Sequence, residues 1–248
     1  RKTLEKYPNY GNLSYVTVSS PEVIWAYEEA MNLKDTKTQV VATGVSRTDV
    51  FYDQHFIERS KAAVYSVCPV AENKKIILYA PTFRGRVAKA ESPDCLDIPA
   101  MKRALGDEYV LLIKHHPFVN NRSHIRKKYK DYIIDLSANS ELNDLLFVTD
   151  VLITDYSSVV FEASLLDIPM VMYAYDLDRY ISSRGFYYEY EDMAPGKIVR
   201  TYSDLVNCIE TQDFENEKLQ EFKKRFFDDL DGRSTVRAGE LIVECTKK

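Results

Sequence analysis

Four short apolar segments of this chain each run into polar residues that could bind a phosphate or move a proton. The polar clusters are Pro81-Thr82-Phe83-Arg84-Gly85, Lys114-His115-His116-Pro117, Thr154-Asp155-Tyr156-Ser157-Ser158 and Tyr175-Asp176-Leu177-Asp178-Arg179-Tyr180. In open parallel sheets, ligands bind outside the carboxyl ends of the strands. If the apolar segments are parallel strands, the four clusters share one rim of the sheet.

The serines of the third cluster are candidate phosphate ligands. Ser157 or Ser158 can cap the helix that is predicted to follow, and the N–H groups and positive end of that helix would then face the rim. Such a helix start suits a phosphate group. A serine at this position is also an ordinary helix cap, so the cluster alone leaves both interpretations open.

The second cluster places nitrogen donors beside one strand end, from Lys114, His115 and His116. Side chains alternate along a strand, so we expect only one of the histidines to face the crevice. Contact with a phosphate would favour the imidazolium, which could place a proton on a leaving phosphate. Zinc is disfavoured, because adjacent histidines diverge and no cysteine or third histidine has a suitable spacing.

Arg184-Gly185 lies downstream of the fourth cluster and is a further candidate for binding a diphosphate. Arginine offers a planar fork of donors, and glycine lets a ligand approach the backbone closely. A surface salt bridge and a turn would explain the same pair. No metal site is predicted, although Asp155, Asp176 and Asp178 could hold Mg²⁺ on a diphosphate.

The apolar segments predict a parallel sheet covered by helices, which is an α/β fold. Strands are expected at 76–80, 109–113, 151–154 and 170–173, with a weaker one at 132–135. Their continuously apolar composition is typical of strands buried on both faces. Amphipathic stretches predict helices near 98–105, 141–147, 158–167, 203–211, 215–230 and 234–246.

The segment before residue 70 predicts part of a second α/β unit, with strands at 15–18 and 39–42 and a helix at 21–31. Two strands cannot form a sheet with both faces covered, so we expect this segment to be the tail of another domain. Residues 45–53 are predicted to be a connection. The expected domains are therefore 1–53 and 54–248, and the missing initiator Met suggests a trimmed longer polypeptide.

Composition excludes several classes of protein. The chain has 248 residues, 45% of them hydrophobic, and 33 Lys and Arg against 38 Asp and Glu, which gives a net charge of −5. Disorder and a mainly nucleic-acid-coating role are therefore disfavoured. The four scattered cysteines are typical of a reduced, cytoplasmic protein. The basic runs at 126–130 and 223–227 predict solvated helix faces or, alternatively, a patch for an anionic membrane anchored by Phe226 and Phe227.

Taken together, several of these segments resemble the motifs of one family. The segments are Tyr79-Ala80-Pro81-Thr82-Phe83-Arg84, Lys114-x-His116-Pro117, Thr154-Asp155-Tyr156-Ser157-Ser158, Asp176-x3-Tyr180-x3-Arg184-Gly185 and Pro195-Gly196. They resemble the CDP-glycerol glycerophosphotransferase family, the bacterial teichoic acid and capsule polymerases and primases. Gly44-Val45-Ser46-Arg47-Thr48-Asp49 is similar to that family's G-x-P-R-x-D segment, with Ser46 in place of proline. The resemblance covers about residues 12–235.

The resemblance implies a GT-B architecture, in which two Rossmann-like domains face each other and the C-terminal one holds the nucleotide donor. This chain would then contain the donor-binding domain and the tail of the acceptor-side domain. The implied reaction transfers glycerol phosphate from CDP-glycerol to a hydroxyl of a lipid-linked acceptor and releases CMP. The implied location is the cytoplasmic face of the membrane, with peripheral attachment, and no cofactor is expected apart from optional Mg²⁺.

The resemblance also implies roles for individual residues. His116 would contact the donor diphosphate and stabilise the departing CMP. The donor phosphates would be bound by Ser157, Ser158, Arg184, Gly185 and Lys114. The donor pocket would be completed by Thr82, Arg84, Pro117, Thr154, Asp155 and Asp176.

The family's other essential histidine, the expected base, lies in a His-Gly motif, and no His-Gly pair occurs in this chain. We therefore expect donor binding without transfer by these residues alone. Three alternatives stay open. The donor could be CDP-ribitol, the enzyme could be a GT-B glycosyltransferase that uses a nucleotide sugar, or the chain could be a non-catalytic interaction domain.

Overall fold

A computed structural model of the protein describes residues 12–93, 95–106, 108–120, 122 and 125–247. The chain forms two compact units. The first contains the residues up to Gln54 together with those from Glu221 onward, and the second contains His55–Gln220. The predicted boundary after residue 53 lies beside this division. The assignment of the two segments to acceptor-side and donor-binding domains stays a prediction.

In the first unit, β1 (Tyr15–Val18) and β2 (Gln39–Ala42) form a two-stranded parallel sheet. The helix Ile24–Ala30 connects them and follows a 3-10 turn at Pro21–Val23. The expected connection at 45–53 is largely a 3-10 helix, Ser46–Tyr52.

The C-terminal helix Ser234–Thr246 belongs to this first unit, although the sequence suggested that it closes the second. The Asp49 carboxylate explains the placement, because it accepts hydrogen bonds from the backbone N–H groups of Ser234 (3.0 Å) and Thr235 (2.7 Å). These N–H groups begin the helix and have no partner within it. Phe226 and Phe227 are buried at 1% and 8% exposure, so the alternative that they anchor the protein in a membrane is wrong.

The second unit is built on a six-stranded parallel sheet with the order β5-β4-β3-β6-β7-β8. Its strands are β3 (Lys75–Tyr79), β4 (Tyr109–Ile113), β5 (Ile133–Asp135), β6 (Val151–Thr154), β7 (Met170–Tyr173) and β8 (Lys197–Val199). This order is the doubly wound Rossmann order. The predicted α/β fold and parallel sheet are confirmed. The three-residue β8 was missed, because its apolar run is too short to stand out from the turn before it.

Helices alternate with the strands of this unit. They are Gln54–Val67, Ile98–Leu105, Leu142–Leu146, Val159–Leu165, Leu177–Ser183, Tyr190–Met193 and Tyr202–Thr211. The helix Asn216–Phe226 crosses the division between the two units. The helix expected over 215–230 ends at Phe226. Two short helices, Leu177–Ser183 and Tyr190–Met193, were not predicted, because they lie in polar, tyrosine-rich sequence without a clear apolar period.

The strand interiors form the core, as their apolar composition predicts. Ile77, Leu111, Ile153 and Val171 are fully buried, and the cluster that contains them packs on Met101 of the helix Ile98–Leu105. Within the described part of the chain, no helix combines the length and the apolar character that crossing a bilayer requires.

The strand order reverses between β3 and β6, which are neighbours although they are not consecutive. Because all six strands are parallel, their carboxyl ends share one rim, as the sequence predicted. In folds of this type the crevice for ligands opens where the strand order reverses. The residues that follow β3, β4, β6 and β7 are therefore the candidates for a ligand-binding site.

Candidate functional site

An exposed group at the rim is centred on Phe83, which follows β3. The ring of His116, which follows β4, lies 4.9 Å from the Phe83 ring between centroids. The guanidinium carbon of Arg184 lies 5.4 Å from the same ring. His116 and Arg184 belong to separate motifs, and the fold brings them to one aromatic side chain. We call Phe83, His116, Phe118 and Arg184 the rim cluster.

His116 is oriented by a tight turn. The carbonyl of His116 accepts a hydrogen bond from the Val119 N–H at 2.9 Å, and His116 Nδ1 accepts one from the Phe118 N–H at 3.1 Å. The Phe118 ring lies 4.5 Å from the imidazole. Burial lowers the pKa of the His116 imidazole. Phe118 was missed by sequence reasoning, although Pro117 marks a turn that brings the following residues back towards the histidine.

Arg184 and Gly185 end the helix Leu177–Ser183. The guanidinium of Arg184 donates to the carbonyl of Gly85 at 2.9 Å, which fixes it above Phe83. Gly185 has a φ of +71°, and its N–H donates to the Ile181 carbonyl at 3.0 Å. This is the left-handed residue that commonly terminates a helix. A Cβ at Gly185 would have no atom within 4 Å among the described residues, so its backbone is open to approach.

Arg84 points inward and forms what we call the Arg84 clasp with Asp155 and Asp176. Its Nη2 donates to Asp155 Oδ2 at 2.8 Å, and its Nε donates to Asp176 Oδ2 at 2.8 Å. Nη2 also donates to Asp176 Oδ1 at 2.9 Å, and Nη1 donates to the Thr82 carbonyl at 2.6 Å. The clasp ties together the segments that follow β3, β6 and β7, so Arg84 has a structural partner for most of its donors.

The clasp lowers the pKa of Asp176. Burial raises the pKa of Asp176, but hydrogen bonds from Arg84 and Tyr156 outweigh it and hold that pKa below its ordinary value. Burial and the hydrogen bond to Asp176 raise the pKa of the Tyr156 hydroxyl, which keeps it a donor. Both carboxylates of the clasp accept hydrogen bonds from protein groups.

Aromatic rings cover the clasp. Tyr180 stacks on Tyr156 with a centroid distance of 3.9 Å, and Phe186 stacks on Tyr180 at 5.5 Å. The Tyr190 hydroxyl donates to the Asp155 carbonyl at 2.8 Å. Tyr156 and Tyr180 pack against each other and against the Arg84 guanidinium.

Three residues that were predicted to bind the donor substrate have polar side-chain groups that already bind other groups of the protein. Thr154 is fully buried, and its hydroxyl donates to the Ala80 carbonyl at 2.7 Å. The Lys114 ammonium donates to the carbonyls of Ser137 (3.1 Å) and Ser140 (2.6 Å), and burial lowers its pKa. The Asp155 carboxylate is 3% exposed and also accepts the Thr82 N–H at 2.8 Å. In this arrangement Thr154, Lys114 and Asp155 hold the rim in shape.

Other predicted residues remain accessible. Ser158 is exposed and precedes the helix Val159–Leu165, and its side chain forms no capping hydrogen bond. Ser157 Oγ accepts the Val159 N–H at 3.3 Å. Thr82 is an exception, because its Oγ1 is buried and has no hydrogen-bond partner within the described part of the chain. Ser157 and Ser158 follow β6 at the reversal of strand order.

His115 and His116 have different surroundings, as alternation along the strand predicts. His115 is 8% exposed, and its Nδ1 lies 2.9 Å from Ser92 Oγ. It lines a cavity of about 370 Å³ whose other residues include Tyr79, Cys95 and Asp135. His116 belongs to the rim cluster instead.

The carboxylates that were considered for Mg²⁺ do not form a common set of ligands. Asp155 and Asp176 bind Arg84, and Asp178 is 90% exposed and lies 3.7 Å from Arg200. Across the described ranges, no group of three or more His, Cys, Asp and Glu residues is placed to hold a metal ion. A role for Mg²⁺ stays an untested expectation.

Comparison with known proteins gives relatives along nearly the whole chain. Over 237 residues it is 43% identical to the teichoic acid poly(ribitol-phosphate) polymerase of Bacillus spizizenii, covering 95% of this chain and 38% of that protein. It is 40% identical to the ribitol-phosphate polymerase TarL of Staphylococcus aureus, covering 92% and 41%. It is also 36% identical to the teichoic acid glycerol-phosphate primase of Bacillus subtilis, covering 91% and 56%.

A solved structure shares the fold. The wall teichoic acid polymerase TagF matches with a TM-score of 0.80 and 26% identity, covering 99% of this chain and 62% of that chain. The chain thus spans only part of the length of each of these relatives. The architecture is the Rossmann-like C-terminal half of a GT-B fold. The model of the CDP-glycerol:poly(glycerophosphate) glycerophosphotransferase family matches residues 1–244, so this chain belongs to that family of transferases of teichoic acid biosynthesis.

Proposed function

We propose that this chain supplies the donor-binding part of an enzyme that transfers a polyol phosphate from a CDP-linked donor to a lipid-linked hydroxyl, with release of CMP. The observation that carries the proposal is that His116 and Arg184, which come from separate sequence motifs, both lie against the Phe83 ring at the sheet rim. Both side chains present N–H groups at the rim where ligands of this fold bind. A diphosphate is an anion that such donors recognise.

The proposal divides the predicted site into two sets of residues. Arg184 and His116 would donate to the diphosphate, and the hydroxyls of Ser157 and Ser158 would bind it from the next strand end. Gly185 would let the donor approach the backbone, because the space beside it is open. The Arg84 clasp would hold these residues in position without touching the phosphates, since its donors already bind Asp155, Asp176 and Thr82.

The polyol is a separate question. Three relatives at 40–43% identity are ribitol-phosphate polymerases, whereas the glycerol-phosphate enzymes in the comparison are 30–36% identical. CDP-ribitol is therefore our first candidate donor, and CDP-glycerol, which the sequence motifs suggested, is the second. A structure of a TagF variant with CDPG supports binding of a donor of this class by the shared fold.

Transfer also needs an acceptor and a base. In the proposed reaction the acceptor hydroxyl attacks the β-phosphorus. The His-Gly pair that the family resemblance implies for the base does not occur in this sequence, so we propose that the base is supplied from outside these residues. The acceptor would be a lipid-linked polymer at the cytoplasmic membrane face. The exposed basic residues Arg126, Lys127 and Lys128 are candidates for contacting anionic lipid there.

Ligand binding tests the proposal directly. Calorimetry and thermal-shift assays would compare CMP, CDP-ribitol, CDP-glycerol, UDP and UDP-GlcNAc. We expect binding of the cytidine ligands, weakened by His116→Ala and by Ser157→Ala without loss of folding, while the control His55→Ala binds normally. Equal affinity in all variants would refute the site. Stabilisation by uridine ligands alone would indicate a nucleotide-sugar enzyme, and no stabilisation at all would indicate an interaction domain.

A further inference from the structure

We infer that His116 meets the donor as a neutral imidazole that donates from Nε2–H, and that the backbone N–H of Phe118 is the positioning group that selects this tautomer. The inference rests on the proposed function for the identity of the ligand. It replaces the imidazolium that the sequence suggested with an uncharged hydrogen-bond donor. The geometry of the turn at 116–119 carries it.

The hydrogen bond from Phe118 defines the proton positions on the ring. An N–H can only donate, so the nitrogen that receives it must present a lone pair. The Phe118 N–H lies 3.1 Å from His116 Nδ1, so Nδ1 is unprotonated and the proton of the neutral ring sits on Nε2. Rotating the ring by half a turn would place a carbon, which cannot accept, against the same N–H. Both the ring orientation and the tautomer follow from one contact.

Local sequence explains why this contact forms. Pro117 fixes its own φ and stands second in the turn that the Val119 N–H closes on the His116 carbonyl. That turn directs the next N–H, that of Phe118, back towards the imidazole. The rings of Phe83 and Phe118 lie against the imidazole and restrict its rotation. Pro117 and Phe118 therefore act through His116 and need no contact with the donor.

The surroundings disfavour a charged ring. An imidazolium would carry a proton on Nδ1 and turn it against the Phe118 N–H, so two donors would face each other. The charged member of the rim cluster besides His116 is Arg184, whose guanidinium lies on Phe83, and Lys114 lies two residues before His116 in the sequence. Both are cations. Within the described residues, no carboxylate forms an ion pair or hydrogen bond with His116, and His115 faces its own cavity.

The chemistry does not require an acid at this position. In the proposed transfer the acceptor oxygen bonds to the β-phosphorus, and the bond from that phosphorus to the bridging oxygen breaks. CMP leaves with the electron pair as a phosphate monoester, whose second pKa of about 6 makes the dianion stable at neutral pH. The acceptor proton passes to a base outside this chain or to solvent. His116 Nε2–H donates a hydrogen bond to a phosphate oxygen throughout, and it loses no proton.

Nitrogen-15 NMR of the labelled chain can test the tautomer without any ligand. We expect His116 Nε2 to be protonated and Nδ1 to be unprotonated at about pH 7.5. In Phe118→Ala, which keeps the N–H, the same pattern should persist. In Phe118→Pro, which lacks it, the Nε2–H preference should weaken. An Nδ1–H tautomer, or an imidazolium at neutral pH in the parent chain, would overturn the inference.

Binding separates this inference from the proposed function. The diphosphate of a CDP-polyol does not titrate near neutral pH, so its affinity reports on the protein. We expect no gain in affinity as the pH falls from about 8 to about 5.5. His116→Ala should weaken binding by about tenfold, whereas His116→Gln, an uncharged donor, should stay within about threefold of the parent. If the affinity for the CDP-polyol rises as the pH falls, and His116→Gln abolishes this rise, the inference that His116 binds as a neutral imidazole is refuted. Failure of every cytidine ligand to bind would refute the proposed function, and the NMR result would still decide the tautomer.

Discussion

Replacing Arg84 by methionine should destabilise the protein strongly while leaving the rim cluster in place. Methionine keeps most of the length and apolar volume of the side chain and removes its charge and its N–H donors. Asp155 and Asp176 would then lose the cation between them, and their carboxylates are 3% and 16% exposed. The variant therefore measures how much the free energy of unfolding falls when two poorly hydrated carboxylates are left beside each other without a cation.

The size of the effect follows from this burial. Removing one partner from a buried ion pair costs about 3–5 kcal/mol. Arg84 is 22% exposed, and Tyr156 and the Thr82 N–H continue to bind the carboxylates, so we take the lower end. A loss of about 3 kcal/mol lowers the melting temperature of a protein of this size by about 6–12 °C. Arg86→Met is the matched control, because Arg86 is exposed in the same segment, and it should change stability by less than about 0.5 kcal/mol.

The stability difference between the parent and Arg84→Met should depend on pH. The pKa of Asp176 lies below its ordinary value of 3.8 in the folded protein, so its pairing contributes stability above that pH. This stability is lost as the pH falls through the folded pKa. The difference between parent and Arg84→Met in urea unfolding should thus be large at neutral pH and shrink in strong acid. Asp176→Asn added to Arg84→Met should recover part of the loss, because it removes one of the stranded charges.

Two results would refute this reasoning. If Arg84→Met and Arg86→Met unfold at the same urea concentration, the clasp does not stabilise the protein. If Arg84→Met keeps the parent stability but loses affinity for CDP-polyols, Arg84 contacts the donor directly, as the donor-pocket role implied by the family resemblance requires.

Three further predictions concern the rim and the completeness of the enzyme. Gly185→Ala should lower stability by about 1 kcal/mol in urea unfolding, because alanine is strained at a φ of +71°, whereas Gly185→Asn should cost less; equal losses would contradict a backbone cause. Tyr190→Phe should lower stability by about 1 kcal/mol by removing the buried hydrogen bond to the Asp155 carbonyl, and an unchanged unfolding midpoint would show that this bond contributes nothing. The 248-residue chain should bind CDP-polyols but transfer no radiolabelled polyol phosphate to a lipid-linked acceptor, and detectable polymer would show that the base lies within it.

The sheet was largely predictable because its strands are short, continuously apolar and buried on both faces. The predicted strand at 109–113 coincides with β4, and the predicted one at 151–154 coincides with β6. Placing the polar clusters on one rim needed only the parallel arrangement. The hydrophobic pattern could not predict β8, because three residues are too few to show a periodicity. It also could not predict that the helix Ser234–Thr246 belongs to the first unit, because that placement depends on a hydrogen bond to Asp49, which is distant in the sequence.

The site was harder to predict, because side-chain partners depend on distances between strand ends. Arg84 binds Asp155 and Asp176, which lie 71 and 92 residues further along the chain. An arginine and two aspartates at one rim are equally compatible with a phosphate site or a metal site until their separation is known. Phe118 was missed for the opposite reason, since its contact with His116 is local but runs through the backbone N–H, which every residue except proline carries.

The charge of the clasp helps to decide where an anionic donor can lie. The formal charges of Arg84, Asp155 and Asp176 sum to −1, because one guanidinium pairs with two carboxylates. A diphosphate placed against the clasp would meet like charge in a poorly hydrated environment, where repulsion is stronger than in water. The Arg184 guanidinium, at the exposed end of its helix and stacked on Phe83, is a cation without an acidic partner among the described residues. We therefore propose that the donor lies on the Arg184 and His116 side of Phe83, with the clasp as a negatively charged boundary to that site.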